Sequence, residues 1–132
     1  MASAAVLEIE DHMNPHAVQP QASGRPVDLV HLSRFTLGDD KLQREVLQLF
    51  RVQANLFLER LESAGDVTKW HEAAHTIKGS ARGIGAWSVA KAAEGAEQLN
   101  GPASQRAAEA LDALRSAVCD ATKYIDRLLA EH

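Results

Sequence analysis

The stretch "AAEALDALRSAVCDATKYIDRLL" (residues 107–129) carries the clearest pattern in the chain. Its apolar positions Ala107, Leu111, Leu114, Val118, Ala121, Ile125 and Leu128 alternate steps of four and three. That spacing is one stripe of a long helix, and it buries against near-parallel neighbours at a shallow crossing angle. Before it stands "NGP", where Gly101 suits the residue just past a helix and Pro102 suits the first position of the next.

Further upstream the same period recurs. Trp87 to Leu99 reads as an amphipathic segment, separated from the preceding one by a break near Ile84 that Gly83 and Gly85 bracket. That preceding helix follows Asp66, a cap residue, and Val67, Trp70, Ala74, Ile77 and Ala81 form its inward stripe. From Asp40 to about Ser63 the apolar positions Leu42, Val46, Leu49, Phe50, Leu56, Phe57 and Leu61 describe one face of another long helix, stopped by "SAGD". A short helix capped by Asp28 runs to about Thr36; Gly38 ends it and Asp39 caps the next. No segment alternates with period two. The pattern predicts an all-α fold, an antiparallel four-helix bundle with a short additional N-terminal helix acting as a lid.

Residues 1–26 hold three of the four prolines and show no sustained periodicity, so they are expected to form a flexible or loosely docked arm, with 27–132 as the helical domain. His12 and His16 in the arm, and His31 on the lid, are assigned no role. The N-terminus lacks a basic segment followed by an apolar run, and no stretch is apolar enough to span a membrane. One cysteine, Cys119, allows no internal disulfide and is expected to be a small buried residue. These features predict a cytoplasmic protein. A net charge of −4 argues against nucleic acid as the main partner, and polar outer faces predict a monomer.

Within "KWHEAAHTIKGSARGIGAW" (residues 69–87) two motifs overlap at His75. The first, H-E-x-x-H, puts His71 and His75 on one helix face with Glu72 as a general base, and Glu94 follows where some zinc peptidases place a carboxylate ligand. A single small helical core without a strand to hold a peptide speaks against that reading. The second motif, H-x-x-K-G-S, places Lys78, Gly79, Arg82 and Gly83 along the strip that His75 begins. A glycine inside a helix costs about 1 kcal/mol relative to alanine. Gly79 therefore breaks a local rule, and the missing side chain clears space for another protein to approach the imidazole. An exposed neutral imidazole is a nucleophile toward phosphorus, and Lys78 can offset the charge acquired, with Arg82 at longer range. Ser80 either donates a hydrogen bond or faces the neighbouring helix. His71 reads as a flank of the site, and Trp70 and Trp87 as core anchors.

The segment "AAHTIKGSARGIGAWSVAKAAEGAEQL" (residues 73–99) resembles the signature of the histidine-containing phosphotransfer (HPt) domain, and "VDLVHLSRFTLGDDKLQREVLQLF" (residues 27–50) is similar to the family's usual approach to its bundle. The resemblance covers about residues 27 to 130. It implies that His75 is the phosphoacceptor, Lys78 the partner of the phosphoryl charge and Gly79 the clearance for a docking receiver domain. Gly85 and Ala86 would form the tight turn into the next helix. Glu97 falls where the family often has Glu or Gln near the second ring nitrogen, and Arg82 and Gly83 lie in a variable stretch that tunes partner choice. The resemblance further implies a carrier between aspartates of response-regulator receiver domains, supplied by a (hybrid) sensor histidine kinase, without autokinase or hydrolase activity. No cofactor or metal is expected in this chain, with magnesium in the receiver. The alternative within the same fold is a docking module that carries no phosphate.

Overall fold

The computed structural model describes residues 24–131, so the expected arm, apart from its last three residues, and with it His12 and His16, lies outside the described residues. Among the described residues five helices follow one another: α1 (Leu29–Thr36), α2 (Asp40–Glu62), α3 (Val67–Ile84), α4 (Trp87–Glu97) and α5 (Ala107–Ala130). The fold is all-α, as the periodicity predicts. Helices α2 to α5 close a ring in which each packs on the next and α5 returns to α2, while α3 and α5 sit across a diagonal with their backbones apart. Cross-helix bonds show the antiparallel sense: Arg44 near the start of α2 donates to Leu129 O near the end of α5, and Glu62 at the end of α2 receives Arg115. α1 lies over α2 and α3.

Three starts are fixed by the caps expected. Asp28, Asp39 and Asp66 accept from the backbone N–H groups of His31, Leu42 and Lys69, satisfying donors that the first turn of a helix leaves open. The last helix differs. Pro102 is not its first residue, because residues 101–106 form successive turns and α5 begins at Ala107. Gly101 nevertheless holds the positive φ of 86° expected of it, with Val67 so close that a Cβ would lie 2.9 Å from its Cγ2.

The core is aliphatic, with Trp70 its largest fully buried side chain. The α5 stripe is as read: Ala107, Leu114, Val118, Ala121 and Ile125 are buried, and Leu111 and Leu128 pack against them. On α3, Trp70, Ala74, Ile77 and Ala81 are buried but Val67 is exposed at the helix start. On α2 the inward stripe is Leu47, Phe50, Ala54, Leu58 and Leu61. Leu42, Leu49 and Leu56, expected on it, are exposed. The helix has apolar residues on two opposite faces, and its neighbours decide which one is covered. Cys119 is exposed on α5 rather than buried, one position beyond the stripe residue Val118. No described helix is long and apolar enough to cross a membrane.

Asp28 joins the lid to the bundle in two further ways. Its N–H donates to Gly85 O (2.9 Å) and its Oδ2 accepts from Trp87 Nε1 (3.0 Å). Burial raises its pKa, but the bonds from Trp87 and the His31 N–H outweigh this and hold the carboxyl below its ordinary value. Gly85 makes this approach possible. It ends α3 with φ 81°, and a Cβ there would stand 2.9 Å from Asp28 Cβ. Ala86, fully buried, follows it into α4.

Candidate functional site

The C-terminal end of α4 is held by one face of α3. Trp70 Nε1 donates to Ala96 O at 2.7 Å, and His71 Nε2 meets Leu99 O at 2.9 Å. A helix leaves its last carbonyls without partners inside the helix and carries partial negative charge there. Donors from a neighbouring helix satisfy them, and cationic groups are favoured beside them. The α3 residues that follow on this side are His75, Lys78 and Arg82, and each meets a carboxylate of α4.

His75 Nδ1 lies 2.9 Å from Glu97 Oε2, and Lys78 Nζ lies 2.6 Å from Glu97 Oε1. Glu97 thus engages both at once with its two oxygens. Burial alone raises its pKa, but the hydrogen bonds from Lys78 and His75, together with their charge, prevail and hold the carboxyl below the usual glutamate value. An ionised carboxylate only accepts hydrogen bonds, so the proton in the His75 contact belongs to Nδ1 and the Nε2 lone pair is left for chemistry. The imidazole side chain is 65% exposed, against 14% for Lys78 and 24% for Glu97. The ring stands in solvent while the groups that brace it are mostly covered.

Gly79, one turn on from His75, is a half-exposed mid-helix glycine, as the sequence implies. Ser80 is half-buried. Arg82 pairs with Glu94 at 3.1 Å rather than reaching toward His75. Gly83, read as part of the surface strip, is buried within α3 and takes no part in the exposed surface. The contact of Glu97 with the second ring nitrogen is present. The cation of Lys78 is not open, as the sequence alone implied, but is already matched by that same carboxylate. The bonds from Trp70 and His71 to carbonyls at and just beyond the end of α4 had no signal in the sequence, because their acceptors are backbone atoms more than twenty positions away.

The zinc reading fails on geometry. His71 turns to Leu99 O, His75 to Glu97 and Glu94 to Arg82, and no group of three His, Cys, Asp or Glu among the described residues is arranged to hold a metal ion.

A helical bundle presenting an exposed histidine braced by a carboxylate defines a class, and comparison with known proteins bears on it directly. The family model of the Hpt domain matches residues 45–128. Among solved structures, the crystal structure of the histidine phosphotransferase ShpA from Caulobacter crescentus is similar, with 32% identity and a TM-score of 0.61, covering 80% of this chain and 92% of that one. A comparison with curated proteins finds no match. The chain belongs to the Hpt domain family.

Proposed function

We propose that this protein is a phosphocarrier that holds a phosphoryl group on Nε2 of His75 in a two-component His–Asp phosphorelay. The observation that carries the reading is the exposed imidazole whose Nδ1 is bound by Glu97. In the transfer step the Nε2 lone pair attacks the phosphorus of an aspartyl phosphate on a receiver domain. The N–P bond forms as the bond from phosphorus to the aspartyl oxygen breaks, and the aspartate leaves as a carboxylate. The Nδ1 proton stays on the ring, where Glu97 faces the positive charge that the ring gains. The reverse step passes the group to a second receiver.

Lys78 has two roles in this account. It holds Glu97 in place before transfer, and it brings a cation within one helical turn of the incoming phosphoryl oxygens. Gly79 leaves the surface beside the ring bare, which lets the receiver bring its aspartate close. His71, Ser80 and Arg82 flank the docking area. The chain itself requires no metal or nucleotide, and magnesium belongs to the receiver. The partners are response-regulator receiver domains and a sensor histidine kinase.

Incubation with a phosphorylated receiver domain and magnesium tests the proposal. Label is expected to move to this chain as acid-labile, base-stable phosphate, and His75→Gln is expected to take none. Label on His75→Gln would place the acceptor elsewhere, and a wild-type chain that binds the receiver but takes no label would be a docking module.

A further inference from the structure

Of the two histidines in the H-E-x-x-H stretch, His75 has a chemical task in the reading above and His71 has none. His71 is nevertheless held in place. Its Nε2 lies 2.9 Å from Leu99 O, and a carbonyl oxygen only accepts, so Nε2 carries the hydrogen. The neutral Nε2–H tautomer and the imidazolium can both make this bond, and the neutral Nδ1–H tautomer cannot. His75 has the reverse requirement, because Glu97 takes its Nδ1–H and transfer needs a bare Nε2. Two rings four positions apart on one helix are therefore set in opposite tautomers when neutral, each by the bond it makes across to the end of α4.

An imidazole without partners favours the Nε2–H tautomer, in which the nitrogen that attacks phosphorus is blocked. The bond to Glu97 reverses that preference at His75, so the placing of Glu97 decides how much of the ring is in its nucleophilic form. Glu97 is the last residue of α4, a helix of 11 residues with no side-chain cap at its start and no basic residue in its last turn. Such an end frays unless its carbonyls are met from outside. Trp70 meets Ala96 O and His71 meets Leu99 O, so the chain is gripped on either side of Glu97. Lys78 holds Glu97 by its charge, but a lysine is a point charge on a flexible stem and leaves the direction of the second oxygen to the backbone. We infer that His71 is a positioning residue: by gripping Leu99 O it fixes the turn after α4, and through Glu97 it keeps His75 in the tautomer with a free Nε2. The consequence for transfer rests on the phosphocarrier reading, whereas the tautomers do not.

Proton–nitrogen correlation spectra of the isotope-labelled full chain, taken at a pH where both rings are neutral, read the tautomers without a receiver. Nε2 of His71 and Nδ1 of His75 are expected to be the protonated nitrogens. His71→Ala is expected to raise the Nε2–H fraction of His75 and to slow label uptake from a phosphorylated receiver by about three- to tenfold. Alanine is the better helix former, so the change does not itself weaken α3. His71→Gln places an amide N–H near the lost ring Nε2–H and is expected to recover the His75 tautomer and most of the rate. His71 found in its Nδ1–H form overturns the inference. So does a His75 tautomer or a transfer rate that His71→Ala leaves unmoved, and so does a glutamine variant that behaves as the alanine one. A wild-type chain that takes no label would remove the phosphocarrier reading, and the His75 tautomer in His71→Ala would still decide the role of His71.

Discussion

Glu97 faces two demands, since one carboxylate must fix an imidazole and neutralise an ammonium. Replacing it with glutamine keeps the shape and removes the charge. Glu97→Gln is expected to slow phosphoryl transfer by about tenfold, equivalent to ~1.4 kcal/mol, measured as the initial rate of label uptake from a phosphorylated receiver. It is also expected to reduce stability by about 1 kcal/mol at neutral pH. The pH dependence follows from the direction of the shift. A carboxyl whose folded pKa lies below its unfolded value contributes stability above that unfolded value and loses it as pH falls through the folded one. The gap between wild type and Glu97→Gln in urea unfolding should therefore close on acidification from pH 7 to below the ordinary glutamate value of 4.5. The position of Glu97 near the histidine was legible through the family resemblance. Its bond to Lys78 was not, because a lysine one turn from a nucleophile reads equally as an open cation or a paired one until the opposite helix is placed.

In α3 and at its C-terminal cap, two glycines have opposite consequences. Gly79 sits in the helix interior, and Gly79→Ala is expected to raise stability by up to about 1 kcal/mol in thermal or chemical unfolding. Gly79→Leu should keep the fold yet slow transfer, because the added side chain occupies the approach to His75. An unchanged rate would remove the clearance argument. Gly85 ends the helix at positive φ against Asp28, and Gly85→Ala is expected to destabilise by roughly 1–3 kcal/mol. Gly38→Ala is the control, for it shares a positive φ but its Cβ would meet nothing within 4 Å. The larger loss at Gly85 measures the docking of α1. At this scale the sequence was readable wherever a helix carried one apolar seam, as α5 does. It misled on α2, where two seams compete and only the neighbouring helices select between them. It misled also at Pro102, which is compatible with a helix start but equally with the turns that precede α5.

The ring of α2 to α5 gives the site its rigidity, because α4 is pinned to α3 at the end nearest His75. The buried Trp70–Ala96 bond is part of that pin. Trp70→Phe leaves a carbonyl without its partner and a gap in the core, and is expected to cost about 2–4 kcal/mol, read from urea unfolding monitored by circular dichroism. Transfer should fall with it even where the protein remains folded, since Glu97 adjoins Ala96. The surface pairs Arg51–Asp126 and Arg115–Glu62 tie α2 to α5 but stand largely in solvent. Their removal should change stability by less than about 1 kcal/mol each. The bundle as a whole was legible from helix periodicity and loop lengths, whereas the closing of the ring through α2 and α5 depends on contacts more than fifty positions apart. The exposed Cys119 offers a use that follows from this arrangement. It is the sole thiol in the sequence and stands on α5, diagonally across from the helix of His75. A maleimide fluorophore attached there would sit away from the phosphoryl acceptor, so its anisotropy could follow the tumbling of the bare carrier and its slowing on receiver capture.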